Sequence, residues 1–258
     1  MGATESRRFS ESWRRDCYEW GTRQSCAVPS GERLYNERDM VRDGFLYALG
    51  LGVVAALLWV LTHSAVLVGV PVVLALFFLW FFRDPNRKIP TGDGEIVSPG
   101  DGVVTESEWI ETASGSRLRM SIFLNVFDVH VNRAPVGGTV RLVEHREGGF
   151  MNAMNPESVL SNEQTMVVLD AGGYDVSYKQ IAGLLARRIV CTVKEGDRVE
   201  RGQRVGLIKF GSRVDVLLPA EAMPKVKVGS RVRGGSSILA VLPEGFTGDV
   251  RVAAEAVA

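Results

Sequence analysis

The sequence is poor in the residues that build metal centres and disulfide frameworks. Only three cysteines and three histidines occur in 258 residues. Cys17, Cys26 and Cys191 are far apart, and no Cys-x-x-Cys pair or Cys/His cluster occurs. We therefore expect neither a metal site nor a disulfide framework. Sparse cysteine without a pairing pattern is typical of a reducing compartment, which favours a cytoplasm-facing location.

The sequence also lacks an excess of charge of either sign. The 30 Lys and Arg residues balance the 30 Asp and Glu residues, so nothing indicates a nucleic-acid partner. No Gly-x-Gly-x-x-Gly motif opens a helix, and neither a P-loop nor a Gly-x-Ser-x-Gly elbow is present. The usual motifs for binding dinucleotides or nucleoside triphosphates and for α/β-hydrolase catalysis are therefore missing.

One long segment lacks charge altogether: residues 44–82 contain no Asp, Glu, Lys or Arg. Thr62-His63-Ser64 divides it into two apolar halves, each near the lower limit of about 17 residues for a membrane-spanning helix. Basic residues flank both ends, which favours a hairpin with both ends in the cytoplasm. We expect a membrane-anchoring helical hairpin over 44–82, with one long tilted span or a buried soluble helix pair as alternatives. Residues 1–43 are polar and predict a poorly ordered extension.

The remaining residues, 83–258, have the texture of a mainly β domain. Valine alternates with polar residues, and glycine is frequent from residue 90 onward. Short strands are predicted at 95–97, 118–123, 139–143, 165–169 and 188–193, and one helical stretch near 180–187. We expect a β-sandwich or barrel-like domain preceded by the hydrophobic helical hairpin.

An internal repeat supports the β prediction. Residues 193–208 read VKEGDRVERGQRVGLI, and residues 226–241 read VKVGSRVRGGSSILAV. The shared pattern V-K-x-G-x-R-V-x-x-G places turns between short strands and predicts two related, lipoyl-like hairpins.

Between the two repeats lies the pair Gly211-Ser212, flanked by strand-like apolar runs. Glycine tolerates a strained backbone, and serine puts a hydroxyl near the preceding carbonyl. This arrangement suits a chain that attacks its own backbone; a β-bulge or hairpin corner is the alternative. A second pair, Gly235-Ser236, occupies a turn position of the repeat and is the weaker candidate.

His130 is the histidine most suited to chemistry. Alternation places Asp128, His130 and Asn132 on one face of a predicted strand. Acid, imidazole and amide together indicate either a site or a solvent-facing edge strand, and the pattern leaves both open. Asp101, in a Pro-Gly-Asp-Gly run, is typical of a turn when taken alone.

Six runs in this order resemble the short form of the phosphatidylserine decarboxylase proenzymes. They are FFRDPNR at 81–87, VSPGDG at 97–102, FDVHVNRAP at 127–135, GFMNA at 149–153, QIAGLLARRI at 180–189 and FGSR at 210–213. The resemblance spans most of the chain. Three positions depart from the family pattern as we know it: Gly100 replaces an alanine, Gln164 an arginine, and Arg133 a second histidine of longer members.

The resemblance implies a self-processing enzyme. Such a chain cuts itself between Gly211 and Ser212 into chains 1–211 and 212–258, and Ser212 becomes a pyruvoyl group. That cofactor forms a Schiff base with phosphatidylserine, which loses CO₂ to give phosphatidylethanolamine. His130 and Asp101 take the roles of proton-transfer base and its carboxylate.

The resemblance also implies the partners of the chain. Arg133 and Asn132 are candidates for binding the phosphate or carboxylate of the substrate, and no metal is involved. The partners are the phospholipid, the membrane and the chain's own two fragments; a homodimer stays open. The implied location is the cell membrane, with the catalytic domain in the cytoplasm.

A second interpretation is a membrane-anchored binding or adaptor module without catalysis. The repeat resembles the half-motifs of biotinyl and lipoyl carrier domains, which is an analogy of fold alone. Those carriers need a lysine at a hairpin tip, whereas Lys209 and Lys227 are expected in strand-like contexts.

Overall fold

The charge-free segment folds as two helices in the computed structural model, which describes residues 39–112, 115–153, 155, 158–184, 189–208 and 211–246. Helix α1 spans Asp39–Thr62 and helix α2 spans Ala65–Phe81. The break between them is where the sequence predicts it, and the backbone reverses at His63 with a φ of 46°. Of the predicted extension 1–43, residues 1–38 lie outside the described residues, and α1 begins within its last part.

The two helices touch closely at the end nearest the β domain. The Tyr47 ring of α1 lies 5.2 Å from the ring of Phe78 and 5.9 Å from that of Phe82. Most other large apolar side chains of the pair are exposed, including Leu61 at 77 % and Val66 at 80 %. By length and composition α1 is able to cross a membrane, and α2 is a shorter apolar helix. So large an exposed apolar surface indicates contact with lipid or with another protein.

The rest of the described chain is mainly β, as predicted. Its strands are β1 (Glu95–Val97), β2 (Gly102–Thr112), β3 (Gly115–Leu124), β4 (Val131–Arg133), β5 (Gly138–Arg146), β6 (Gln164–Asp170), β7 (Asp175–Ala182), β8 (Ile189–Cys191), β9 (Arg198–Val199), β10 (Arg204–Ile208), β11 (Ser212–Pro219), β12 (Met223–Pro224), β13 (Arg231–Val232) and β14 (Ile238–Val241). A one-turn helix, α3 (Ser158–Ser161), precedes β6.

These strands form one large sheet and two small ones. The eight-stranded sheet has the order β13-β2-β3-β11-β7-β6-β5-β9 and curls into a half barrel. The three-stranded sheets have the orders β1-β14-β12 and β4-β10-β8. Alternate residues of the central strands, such as Met120, Tyr178 and Val216, are buried in one apolar core. Strand β11 lies between β3 and β7, so its backbone is hydrogen-bonded on both sides.

The predicted repeat is visible in the structure. Its two copies provide β9 and β13, which are the opposite edges of the eight-stranded sheet. They also provide β10 and β14, the central strands of the two small sheets. The paired glycines Gly196 and Gly229 both have positive φ, as do Gly202 and Gly235. The repeats therefore occupy equivalent positions, while a lipoyl-like character of their hairpins stays a prediction.

Two sequence-based expectations need correction. Residues 180–182 continue strand β7 and are not helical, because β7 is buried along its length and paired with β6 and β11. Pairing on both sides outweighs the local helix propensity of this run. Lys227 lies at a turn, where its carbonyl accepts the amide of Ser230, and not in a strand. Residues 185–188 and Lys209 lie outside the described residues.

The segment after α2 fastens the helices to the β domain. Asp84 Oδ1 accepts a hydrogen bond from Arg133 Nη2 on β4 at 2.7 Å, and Oδ2 pairs with Arg204 on β10. An apolar cluster made of Phe81, Phe82, Val129, Val131, Val190 and Leu207 fills the space beside this ion pair. We call it the helix-end cluster. The end of α2 is therefore held by both charge and apolar packing.

Replacing Asp84 with asparagine tests this attachment. The Arg133 side chain is 8 % exposed, so Asp84→Asn leaves a buried guanidinium without its counter-charge. We expect a loss of about 2 kcal/mol or more in the free energy of unfolding. Urea unfolding in detergent provides the measurement, with the exposed Asp93→Asn as the matched control. Equal unfolding midpoints for the two variants would contradict the attachment.

Candidate functional site

Ser212 is the first residue of β11 and is fully buried. Its backbone lies opposite Leu124 of β3 and Ala182 of β7. Its Oγ has no hydrogen-bond partner among the described residues. A buried hydroxyl without a partner costs about 1–3 kcal/mol, and such groups in a native structure often have a chemical role. Ser212 therefore has the burial and the available hydroxyl of a nucleophile.

Gly211 supplies the carbonyl that precedes this hydroxyl. Its φ of 58° lies in the left-handed region, which glycine adopts without strain. The Gly211 oxygen packs directly on Gly183, where a Cβ would lie 2.1 Å from it. Two glycines are thus needed to place this carbonyl at the ends of β7 and β11. The sequence reasoning identified Gly211 but not Gly183, although Gly183 falls within one of the runs shared with the family.

His130 contacts the same residue on its other side, at the amide of the peptide bond that precedes Gly211. Its Nε2 lies 3.1 Å from the Gly211 amide nitrogen, and its Nδ1 lies 3.0 Å from the Asp128 carbonyl oxygen. An amide can only donate and a carbonyl can only accept. The proton of the imidazole is therefore on Nδ1, and the lone pair of Nε2 is directed at Gly211.

The surroundings of His130 keep its imidazole neutral. The side chain is completely buried, and this burial lowers its pKa from 6.5 to about 4. The hydrogen bond to the Asp128 carbonyl and the charge of Asp128 act in the opposite direction, while the positive charge of Arg83 adds to the lowering. At neutral pH, Nε2 is free of a proton and able to accept one.

Asp101 does not touch His130. Its Oδ2 pairs with Arg87 Nη2 at 2.6 Å, and its Oδ1 accepts the Gly234 amide at 2.8 Å. The position beside Nδ1 that the resemblance implies for a carboxylate is occupied by the Asp128 carbonyl. Both carboxylate oxygens of Asp101 are thus engaged by groups other than the imidazole.

The polar strand face expected around His130 is different in the structure. Strand β4 begins only at Val131, and Asp128 lies in a turn closed by Asn125. The Asn125 amide donates to Asp128 Oδ2 at 2.9 Å, and Asp128 Oδ1 pairs with Arg231. The prediction that Asp128, His130 and Asn132 share a strand face is therefore wrong, since a turn interrupts the alternation.

Asn132 and Arg133 have different surroundings. Asn132 Oδ1 accepts a hydrogen bond from Gln180 Nε2 at 2.7 Å. Asn132 Nδ2 and Gln180 Oε1 are buried without partners among the described residues. Gln180 projects from the same sheet face as Ser212, because Val214 and Ala182 are its neighbours in the register. Arg133, in contrast, donates to Gly202 O at 3.0 Å and to Asp84. Gln180, which the sequence reasoning missed, was detectable as a polar side chain in a buried run.

The opposite face of β11 anchors the residue that follows Ser212. Arg213 Nε donates to Asp215 Oδ1 at 2.6 Å, and Nη2 donates to Glu106 Oε2 at 2.8 Å and Ser121 Oγ at 2.7 Å. Arg213 is only 3 % exposed, so these contacts are shielded from solvent. They fix the backbone of β11 beside Ser212.

Asn162 fixes the other wall of the site. Its Nδ2 donates to the carbonyls of Met151 and Ala182 at 2.8 and 2.7 Å, and its Oδ1 accepts the Met151 amide at 2.8 Å. The run 149–153 is thereby tied to the end of β7, directly before Gly183. A buried asparagine with three hydrogen bonds explains why this loop holds its position.

Comparison with known proteins connects this geometry to one family. The family model described as phosphatidylserine decarboxylase matches residues 74–240. The phosphatidylserine decarboxylase proenzyme of Solibacter usitatus is 49 % identical over 203 residues, which are 78 % of this chain and 96 % of the relative. The proenzyme of Ralstonia nicotianae is 43 % identical over 209 residues, 79 % and 95 % of the two chains. That of Chlorobium phaeovibrioides is 41 % identical over 201 residues, 76 % and 91 %.

Replacing Gly183 with alanine tests the placement of the Gly211 carbonyl. The added Cβ would lie 2.1 Å from the Gly211 oxygen, so the carbonyl must move. A shift of about 1 Å costs on the order of 100-fold in a positioned reaction, and we expect the implied cleavage at 211–212 to slow by that factor. Fragment formation on denaturing gels is the measurement. Gly137→Ala, where the nearest atom is 3.4 Å away, is the control. Unchanged cleavage in Gly183→Ala would contradict the geometry.

Proposed function

The chain belongs to the phosphatidylserine decarboxylase family and is a decarboxylase, and we propose that it first cuts its own backbone between Gly211 and Ser212. The cut chain then converts phosphatidylserine into phosphatidylethanolamine and CO₂. One observation carries this proposal: the Ser212 hydroxyl, which has no partner among the described residues, is buried next to a glycine whose amide is hydrogen-bonded to His130 Nε2.

The first step exchanges an amide bond for an ester. Ser212 Oγ attacks the Gly211 carbonyl carbon, the bond to the Ser212 nitrogen breaks, and this nitrogen leaves as an amine. His130 Nε2 accepts the hydroxyl proton and passes it to the leaving Ser212 nitrogen, so that the imidazole is neutral again before the second step. Before it can accept this proton, Nε2 must give up its hydrogen bond from the Gly211 amide, 3.1 Å away. It then accepts a hydrogen bond from the hydroxyl of Ser212, the next residue. The Asp128 carbonyl holds the imidazole in the required tautomer during the exchange.

The second step releases the two chains. A base, for which we propose His130, removes the Cα proton of residue 212, and the bond between Cβ and Oγ breaks. The double bond forms between Cα and Cβ, and Oγ stays on Gly211 as part of its new carboxylate. The resulting dehydroalanine takes up water and loses ammonia, which leaves a pyruvoyl group on residue 212. The products are chains 1–211 and 212–258.

The surroundings of residue 212 fit such a group. Its position stays fixed because β11 is paired with both β3 and β7 and because Arg213 is anchored on the opposite face. When present, the pyruvoyl group supplies a ketone that withdraws electrons from the carbon losing CO₂. The protein's own part is to bind the substrate, to exclude water and to hold a proton acceptor at His130 Nε2.

The buried polar atoms beside Ser212 are suited to the serine headgroup. We assign Asn132 Nδ2 and Gln180 Oε1 to substrate binding, since both are buried and neither has a partner in the part of the chain that the structure describes. An amide donor suits a carboxylate, and an amide oxygen suits an ammonium group. We assign Arg133 a structural part, because Asp84 and Gly202 already occupy its guanidinium. We assign Asp101 a structural part as well, because Arg87 and the Gly234 amide hold its carboxylate.

The two helices support a location of the proposed site at a membrane surface. We propose that α1 and α2 anchor the chain in the cell membrane, with the β domain on the cytoplasmic side. The exposed apolar surface of both helices supports this. At the end of α2, Arg83 lies over the Trp80 ring at 3.9 Å, and such aromatic and basic pairs favour the headgroup region. A phospholipid would then need to travel little from the bilayer to Ser212.

Ser212→Ala tests the proposed self-cleavage. We expect it to remain a single chain without decarboxylase activity, since it lacks the hydroxyl that attacks Gly211. Intact mass spectrometry is the measurement, and the wild type should give two fragments, the smaller beginning with a blocked residue 212. Ser236→Ala, in the other Gly-Ser pair, is the matched control and should still be cut. An uncut wild-type chain that decarboxylates its substrate would overturn the proposal.

The buried imidazole also predicts the pH dependence of the cleavage. The pKa of His130 is lowered to about 4 by burial, so Nε2 loses its ability to accept a proton only as the pH falls through that value. We expect a cleavage rate that is constant between about pH 5.5 and 8 and that declines below about pH 4.5. Pulse-labelled chain from cell-free synthesis, transferred to buffers of different pH, gives this profile. A midpoint near the ordinary histidine value of about 6.5 would contradict it.

A further inference from the structure

We propose that Phe81, the last residue of helix α2, is a positioning residue for self-cleavage and acts through the ring of His130. The inference rests on the proposed function, because it states that a residue of the helical hairpin fixes the direction in which His130 Nε2 points. The residue that fulfils this role belongs to the helices and not to the β domain.

The contact between the two rings is direct. Their centroids are 4.5 Å apart and their planes are inclined by 35°. Phe81 is 1 % exposed, and His130 is completely buried. The two hydrogen bonds of His130, to Asp128 O and from Gly211 N, run through the edge of the imidazole. Bonds at the edge leave the ring free to tilt about the line joining them. Packing on a face of the ring restricts that tilt, and Phe81 provides it.

Phe81 is itself held in place by the helix. It belongs to the helix-end cluster with Phe82, Val131 and Leu207, and its ring lies 6.0 Å from that of Phe77 one turn earlier. Arg83, directly after α2, donates from Nη2 to the Phe127 carbonyl at 2.8 Å. Phe127 precedes Asp128, whose carbonyl fixes the His130 tautomer. The end of α2 therefore packs on a face of the imidazole, and it also holds the turn whose carbonyl accepts the proton of Nδ1.

Removal of the ring should also change the protonation of His130. The charged groups acting on this imidazole are Asp128 and Arg83, and neither changes when Phe81 is replaced. The burial that lowers the pKa of His130 to about 4 does change. Water reaching the imidazole would bring the pKa back toward the ordinary value of about 6.5. A loss of mere stability would not move this pKa.

The test compares Phe81→Leu with Phe78→Leu in the full-length chain. Phe78 lies on the same helix, and its ring packs on Tyr47 of α1 at 5.2 Å. Both variants lose one aromatic ring and keep an apolar side chain of similar length, so that folding is preserved. Self-cleavage of pulse-labelled chain is followed across the pH range for both variants, and Phe81→Ala is included as a more severe change.

For Phe81→Leu we expect cleavage at pH 7.5 to slow by about tenfold or more. The decline of the cleavage rate at low pH, here called the acid limb, should move upward by about one pH unit or more. Phe78→Leu should stay within about twofold of the wild type, with an unchanged acid limb. If the wild type cuts itself and Phe81→Leu shows the same rate and the same acid limb as the wild type, the positioning role alone is overturned. Equal slowing in both variants with no shift of the acid limb overturns it as well. A wild-type chain that is never cut overturns the proposed function with it.

Discussion

The hydrogen bond from the Gly211 amide to His130 Nε2 connects residues 81 positions apart in the sequence, and it brings the imidazole to the residue that precedes Ser212. Each partner is held by a different part of the fold. Gly211 is fixed by β11, which is paired on both sides, and by the close approach of Gly183. His130 is fixed by the turn before β4 and by the end of α2. The sheet and the helical hairpin must therefore both be in place before His130 can contact Gly211.

The eight-stranded sheet gives β11 two unlike faces. Ser212 and Val214 face the apolar core, whereas Arg213 and Asp215 face a row of charges that includes Lys179 and Glu106. Buried charges are costly unless they are paired, and a shift of register by one residue would place them in the core. The ionic face therefore specifies the register of β11 and with it the position of Ser212. Glu144 lies at the far end of this row, and burial raises its pKa to about 7. The positive charges of Lys179 and Arg146 act in the opposite direction and lower this pKa.

Much of this architecture is readable from the sequence because it depends on local patterns. The absence of charge over 44–82 predicted the two helices, and the glycine spacing of the repeat predicted the turns at Gly196 and Gly229. The six runs shared with the family located Gly211, Ser212 and His130. These features need no knowledge of which segments meet in space.

The remaining features depend on contacts between distant segments. The partner of His130 Nδ1 is a backbone carbonyl, which no side-chain pattern reveals. The expectation for Asp101 came from the family resemblance alone. The run after Gln180 is rich in alanine and leucine, and only its pairing with β6 and β11 makes its first residues a strand. The contact of Phe81 with the imidazole crosses from the helices to the β domain, and no local pattern in the sequence reveals it.

A histidine with a pKa of about 4 is a weak base, yet this suits a reaction that occurs once in the life of each chain. A catalyst for repeated turnover works best with a pKa near the ambient pH. The proposed cut itself changes the surroundings of the imidazole, because it creates a carboxylate on Gly211, whose nitrogen lies 3.1 Å from Nε2. A nearby negative charge favours the protonated form of histidine and raises its pKa. While that chain end stays in place, the same residue changes from a proton acceptor toward a group able to donate. Cleavage at Gly211 would thus prepare His130 for the protonation that must follow the loss of CO₂.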